Sequence, residues 1–333
     1  MLTKLENLHE VMTGGHPDRF VNQYEFMHLV IGNPVSDLIG NPAPCQGTRV
    51  NAWGFTMDWS PNQPGMFPIN TPDKVVIKDL ENWKDYVHAP DLDKIPEAAW
   101  EPYIAECEGV DQNEELVTYY RTSGLFEQSH HLGEISNICA AFYEYPDELK
   151  ELYKYLTEFE LRDAEATCSH LHPKAVFHHD DWGSQLSTFF RPEMFEEFFL
   201  DNYKTIYNFY REQGVEVIIH HCDSYAATLV PYMIDMGIDI WQGCMSSNDV
   251  PALVKKYGGQ ITFMGGIDTA LIDNEHWSAE EDAKIVKEVC DACGPLYFIP
   301  CSTAGDPFST FPGSKEALSE EIDKYSKVYF ANK

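Results

Sequence analysis

Arginine is scarce in this sequence: six residues among 333, at Arg19, Arg49, Arg121, Arg162, Arg191 and Arg211. Arginine is the side chain that grips carboxylates and phosphates through two parallel hydrogen bonds. Few such forks are therefore on hand for a substrate bearing many negative charges. Positive charge of any kind is short. Lysine and arginine total 23 against 54 aspartates and glutamates, a net charge of −31. Nucleic-acid binding needs a basic surface to displace counterions, and anionic membranes attract basic segments; the charge balance argues against both partners. No apolar run is long enough to cross a bilayer. The opening MLTKLENLHEVMTGGHPDRF lacks the apolar stretch of a secretory leader. No Gly-rich dinucleotide fingerprint follows an early strand-like run. Internal repeats and low-complexity tracts are absent too.

What is present is a long chain with enough apolar residues, 44% of the total, for a large core. The length of 333 suits one barrel of about 250 residues with an appendage. Nine cysteines are scattered and odd in number, which reads as thiols kept for metal or chemistry in a reducing cytoplasm. To about residue 112 the chain is punctuated by Pro, Gly and Asn, as in NPVSDLIGNPAPCQG and SPNQPGMFPINTPD, which predicts loops and short hairpins. Helical pattern returns near Asp79–Val87. From residue 115 short β-prone runs alternate with amphipathic stretches. The runs are Leu116–Arg121, Ala175–His179, Val215–Cys222, Ile238–Gln242, Ile261–Met264 and Tyr297–Cys301, with Asp18–Gln23 as an earlier one. Helical segments lie at Pro192–Glu212, Ser224–Met236, Val250–Tyr257, Ser278–Ala292 and Ser314–Phe330. Such alternation predicts βα units around a parallel sheet. The expected fold is an α/β (β/α)8 TIM barrel, one of its strands escaping recognition, with an N-terminal loop and hairpin elaboration over about 28–112. The whole of 1–333 is expected to form one domain. A doubly wound sheet is the alternative.

The run V-E-V-I-I-H-H-C puts His220 and Cys222 on one strand face and His221 on the other, because strand side chains alternate. They stand at the C-terminal end of the strand, where barrels keep their active sites. Cys301 closes another strand at the same kind of position. One imidazole and two thiolates converging there suit zinc with an open fourth position. Cys244, just past Ile238–Gln242, is a candidate fourth ligand. A small core thiol beside a hydrogen-bonded histidine is the competing reading of this pattern.

Several stretches together resemble the uroporphyrinogen decarboxylase-like superfamily. They are H-x-C at His220–Cys222 with the distant strand-terminal Cys301, H-H-D-D-W-G-S-Q at His178–Gln185, R-P-E-M-F at Arg191–Phe195, F-M-G-G-I-D at Phe263–Asp268 and S-G-L-F-E at Ser123–Glu127. The likeness is greater to the zinc-dependent corrinoid methyltransferase branch than to the decarboxylases, whose arginine-containing substrate loop has no counterpart at Asn22–Gly40. N-A-W-G-F-T-M-D-W at Asn51–Trp59, with P-G-M-F-P at Pro64–Pro68, is similar to the O-demethylase members. The resemblance implies a zinc methyltransferase that moves a methyl group from a small methoxylated aromatic to the Co(I) of a corrinoid carried by a partner protein. A homodimer is the assembly that analogy suggests. The alternatives are a methylcorrinoid:thiol methyltransferase of the coenzyme M type and a metal-free decarboxylase.

Other residues receive expected roles on this reading. Trp53, Met57 and Trp59, with Phe55, Met66 and Phe67, are candidates to wall a flat apolar pocket; a satellite cluster under a long loop is their other explanation. Asp180 and Asp181 follow the run Ala175–His179, where each would orient His220 or meet substrate, and helix capping competes. Glu127, past Leu116–Arg121, is expected to face the barrel mouth, and Asp181 and Glu127 are the catalytic candidates. Tyr24 and Asp268 are candidate substrate contacts, with turn or cap roles as the alternative. Cys290 and Cys293 read as two core thiols, His130 and His131 as polarity at a helix start, and Glu280–Asp282 as a solvated helix face.

Overall fold

The computed structural model describes residues 1–61, 63, 65–302 and 311–331. Its strands in chain order are β1 (Met27–Val30), β2 (Gly47–Val50), β3 (Thr56–Trp59), β4 (Phe67–Pro68), β5 (Leu116–Arg121), β6 (Ala175–His179), β7 (Val217–His221), β8 (Ile240–Cys244), β9 (Thr262–Ile267) and β10 (Phe298–Ser302). Seven of them form one sheet in the order β1-β5-β6-β7-β8-β9-β10, all neighbours parallel. Sequential parallel neighbours with a helix in most crossovers curl into a TIM-barrel-like α/β fold, as expected. The remaining three strands make a small antiparallel sheet, β2-β3-β4, inside the long excursion between β1 and β5. Pro64, which opens P-G-M-F-P, lies outside the described residues.

The expected early strand Asp18–Gln23 does not form. Side chains hold that segment in place of a ladder: the Leu2 amide donates to Asp18 Oδ2 at 2.6 Å, Asn7 Nδ2 to the Arg19 carbonyl at 3.1 Å, and the Phe20 amide to Ser326 Oγ at 2.8 Å. Gln23 takes φ +50°, and its Oε1 accepts from the Ser302 amide at 3.5 Å. The segment thus sits beside β10 without pairing to it, and the first strand begins four residues later. The helix expected near Asp79–Val87 shrinks to one 3-10 turn, Trp83–Asp85. Asp79 is the reason: its carboxylate accepts from the Glu81 amide at 3.1 Å and from Asn82 Nδ2 at 2.7 Å, competing with a helical backbone.

The sheet has two buried faces. Ala175, Phe177, Ile219, Ile240, Met264, Ile299 and Cys301 fill the interior, closed from below by Leu8 and Val11 of the helix Lys4–Thr13. Val117, Val176, Ile218, Trp241, Phe263 and Phe298 point outward against the surrounding helices. Trp53, Phe55 and Met57 of the excursion join this outer core, Trp53 edge-on to Phe159 at 4.8 Å. Among the described residues no helix is long and apolar enough to cross a membrane.

Candidate metal centre

The chemistry-bearing residues gather where β6 and β7 end. His179 and His221 are the last residues of those strands and face each other across the ladder. Their rings stack with centroids 4.2 Å apart. Asp181 lies two residues beyond His179, again on the inward side. Among the described residues, donor atoms of His179, Asp181 and His221 lie within 4.8 Å of one another.

Each of the three is held by a neighbour at its other atom. His179 Nδ1 lies 2.8 Å from Glu127 Oε2, and donation there leaves Nε2 available. Glu127 is itself placed by its backbone, whose amide donates to Asp180 Oδ1 at 2.8 Å. His221 Nδ1 donates to Gln242 Oε1, and Gln242 Nε2 donates to the Tyr24 hydroxyl at 2.8 Å. Asp181 Oδ1 accepts from the Asp223 amide at 2.8 Å. Two imidazoles with defined tautomers and one carboxylate oxygen, all braced from behind, fit a divalent cation, zinc included.

The electrostatics point the same way. Burial pushes the Glu127 carboxyl up to about 7, although His179 beside it pulls the other way. Burial alone would lower His179, but the Glu127 carboxylate raises it well above 6.5. Burial, then Asp181, pushes Asp223 up to about 8. Burial and His179 hold His221 down to about 4. Three carboxyl groups, Glu127, Asp181 and Asp223, thus crowd two imidazoles, an arrangement that positive charge would relieve.

The ligands expected from the sequence are parted across the sheet. His220 and Cys222 do share a face, but it is the face turned to the helices. Both ring nitrogens of His220 are engaged, Nδ1 with the Tyr207 hydroxyl at 2.8 Å and Nε2 with the Asp180 carbonyl at 3.2 Å. Cys222 Sγ accepts from the Trp182 amide at 3.4 Å and lies 2.9 Å from Ser224 Oγ. Cys301 faces the interior instead, where its thiol donates to its neighbour's carbonyl, Ser302 O, at 3.1 Å. Cys244 also turns outward, because a bulge between Gln242 and Cys244, with Gly243 at φ +85°, breaks the alternation.

Of the other expected residues, Glu127, Asp181 and Tyr24 stand at the site. Asp180 does not: it is fully buried and braces the start of the helix Leu125–Gly133. Asp268 caps the short helix Thr269–Ile272, accepting from the Ala270 amide at 3.0 Å. Trp53 and Met57 are buried in the outer core, and Trp59 ends β3 half-buried, opposite Gly47. His130 and His131 belong to the last turn of their helix, not its start. Sequence reasoning gave no site role to His179, His221 or Asp223. The doublets His178–His179 and His220–His221, each closing a strand, were the available signal.

Comparison with known proteins bears on the same region. A search of curated proteins returns no match. Among solved structures, one described as a methyltransferase from Methanosarcina mazei shares the fold with a TM-score of 0.67 over 98% of this chain and 99% of that one, at 15% identity. The uroporphyrinogen decarboxylase (URO-D) family profile matches residues 129–324, which is more than half of the sequence and includes every strand from β6 to β10. The chain belongs to the uroporphyrinogen decarboxylase family.

Proposed function

We propose that this protein is a metal-dependent methyltransferase that takes a methyl group from an aryl methyl ether and delivers it to the reduced corrinoid of a partner protein. The observation that carries the reading is the convergence of His179, Asp181 and His221 at the C-terminal ends of parallel strands, where barrels place their chemistry. Nitrogen and oxygen donors make a harder centre than a thiolate-rich set. That chemistry favours polarising an oxygen over activating a thiol.

His179, Asp181 and His221 would hold a divalent cation, which would supply Lewis-acid stabilisation for a phenolate leaving group. The chain's own residues do the rest. Glu127 fixes the tautomer of His179, and Gln242, backed by Tyr24, fixes that of His221. The crowded carboxylates of the mouth repel a polycarboxylate, and Arg121 is committed elsewhere: it lies behind the sheet, 3.2 Å from Asp163 and 3.9 Å from Glu160. This disfavours decarboxylation of a many-acid ring.

The test is methyl transfer. Zinc-loaded protein is mixed with Co(I) cobalamin and a panel of methoxylated phenols and benzoates, and methylcobalamin is followed by its absorbance. Transfer from at least one donor, abolished in Asp181→Ala and His221→Ala, is expected. Absence of transfer from every donor, with demethylation of methylcobalamin by a thiol, would replace this reading with the reverse reaction.

A further inference from the structure

The H-x-C motif lies directly behind the proposed centre, and its contacts are not random. Asp181 is flanked by Asp180 and Trp182, and each of these is gripped from the helix-facing side. His220 Nδ1 accepts from the Tyr207 hydroxyl at 2.8 Å, which makes Nε2 the protonated nitrogen and the donor to the Asp180 carbonyl at 3.2 Å. The Trp182 amide donates to Cys222 Sγ at 3.4 Å. The Trp182 indole also lies flat on the His220 ring, with centroids 4.0 Å apart, and donates through Nε1 to Asp180 Oδ2 at 2.9 Å. His220, Cys222, Asp180 and Trp182 are all fully buried. On the other side of the strand the Asp223 amide meets Asp181 Oδ1 at 2.8 Å.

We infer that His220 and Cys222 are positioning residues that clamp the two peptide groups around Asp181 and so aim its carboxylate at the cation site. The inference rests on the reading of His179, Asp181 and His221 as that site. The alternation that turns the imidazole and thiol of the motif away from the mouth is what allows them to reach the backbone of the neighbouring strand. Without the clamp, Asp181 stands on a loop whose carbonyl and amide are free to rotate the side chain away. The thiol's part is that of an acceptor for one N–H, a part a hydroxyl oxygen also plays.

Two pairs of variants test this. Cys222→Ser keeps an acceptor for the Trp182 amide, and Cys222→Ala removes it. His220→Gln keeps a donor for the Asp180 carbonyl, and His220→Phe removes it. Purified full-length protein is stripped of metal and titrated with Co²⁺, with circular dichroism as the control for folding. The wild type is expected to bind one Co²⁺ without a thiolate-to-cobalt band in the near ultraviolet. Affinity should fall about 10- to 100-fold in Cys222→Ala and His220→Phe, the usual loss when a residue that orients a ligand is removed, and recover most of the way in Cys222→Ser and His220→Gln. A thiolate band that vanishes in Cys222→Ser would overturn the inference, since Cys222 would then be a ligand. Unchanged affinity in both Cys222→Ala and His220→Phe would overturn it equally. Hydrogen exchange at the Trp182 amide gives a readout that needs no metal. It is slow in the wild type and Cys222→Ser and fast in Cys222→Ala if the clamp exists; equal protection in all three refutes it. A wild type that takes up no Co²⁺ while the exchange pattern holds would sink the cation site and leave the clamp standing.

Discussion

Replacing Asp180 by asparagine changes one atom and should unsettle the whole site. The carboxylate is fully buried and accepts four hydrogen bonds. Oδ1 takes the Glu127 amide at 2.8 Å; Oδ2 takes the Phe126 amide at 3.0 Å, Trp182 Nε1 at 2.9 Å and the Tyr203 hydroxyl. The helix Leu125–Gly133 begins at Gly124, where a Cβ would stand 2.4 Å from that of Asp180. The carboxylate thus replaces a side-chain cap and sees the positive end of the helix. An amide cannot serve all four donors. Its best pose keeps the oxygen on the three donors of Oδ2 and points its own N–H at the Glu127 amide. One charge-assisted bond is lost, about 1.5–3 kcal/mol, and three others become neutral, about 1 kcal/mol each. Relief from burying a charge offsets part of this, leaving a net loss of about 2–4 kcal/mol. At roughly 2.1 cal/mol/K of unfolding entropy per residue, a chain of this length melts about 3–6 °C lower. Calorimetry of Asp180→Asn reads the shift, and Co²⁺ titration reads the loosened Glu127–His179 pair as weaker binding. Melting within about 1 °C of the wild type, with unaltered cobalt affinity, would refute the view that this carboxylate sets the helix start and Glu127 with it.

Three further outcomes follow from the same geometry. Gln242→Leu removes the acceptor for His221 Nδ1 and should weaken Co²⁺ binding about 10- to 100-fold, whereas Gln242→Glu keeps an acceptor and should bind close to wild type; isothermal titration separates them. Zinc stoichiometry should stay at one per chain in Cys301→Ser and fall in Asp181→Ala and His221→Ala, because Cys301 is not among the converging donors. Asp282 is buried with neither oxygen hydrogen-bonded among the described residues, and burial, then Glu321, pushes its carboxyl from 3.8 up to about 6. The folded state holds that proton more tightly than the unfolded chain, so stability falls as pH rises from about 4 to 6 and stays lower above. Asp282→Asn should therefore raise the melting temperature at pH 8, by a few kcal/mol in stability at most, and raise it less at pH 5.

The order of the strands and most of their ends were readable, because β-prone runs separated by long amphipathic segments leave few topologies. β5 and β6 match their expected limits residue for residue. The pairing of His220 with Cys222 on one face was readable too, since alternation is a property of the strand itself. Which face looks inward was not. In a half-polar strand hydropathy would decide, but here Ile218 and Ile219 are equally buried on opposite sides, as both faces of a parallel sheet are. The deciding clue lay in the helix that precedes β7. Tyr203, Tyr207 and Tyr210 form a stripe on the helix Asp201–Glu212, all buried. Phenol groups packed on the outer face of a sheet call for polar partners there, and Asp180 and His220 supply them by hydrogen bonds to the Tyr203 and Tyr207 hydroxyls. The bulge at Gly243, which sends Cys244 outward, had no comparable signal beyond the glycine.

The site then divides its labour by parity along two neighbouring strands. His178, Asp180, His220 and Cys222 look outward and are wholly buried; they meet tyrosines, backbone groups and one another. His179, Asp181, His221 and Asp223 look toward the mouth, where their charges crowd together. His220 and Cys222 hold the two peptide groups that flank Asp181, and Asp180 holds the amide of Glu127. Such a division lets the inward set be polar and crowded, because bonds on the far side of the sheet add to those that Glu127, Gln242 and the Asp223 amide make within the site. It also explains why a histidine and a cysteine two residues apart can look like metal ligands in the sequence. The cation would be bound from the front by the intervening histidine and a neighbouring aspartate, and the motif would hold both from the back.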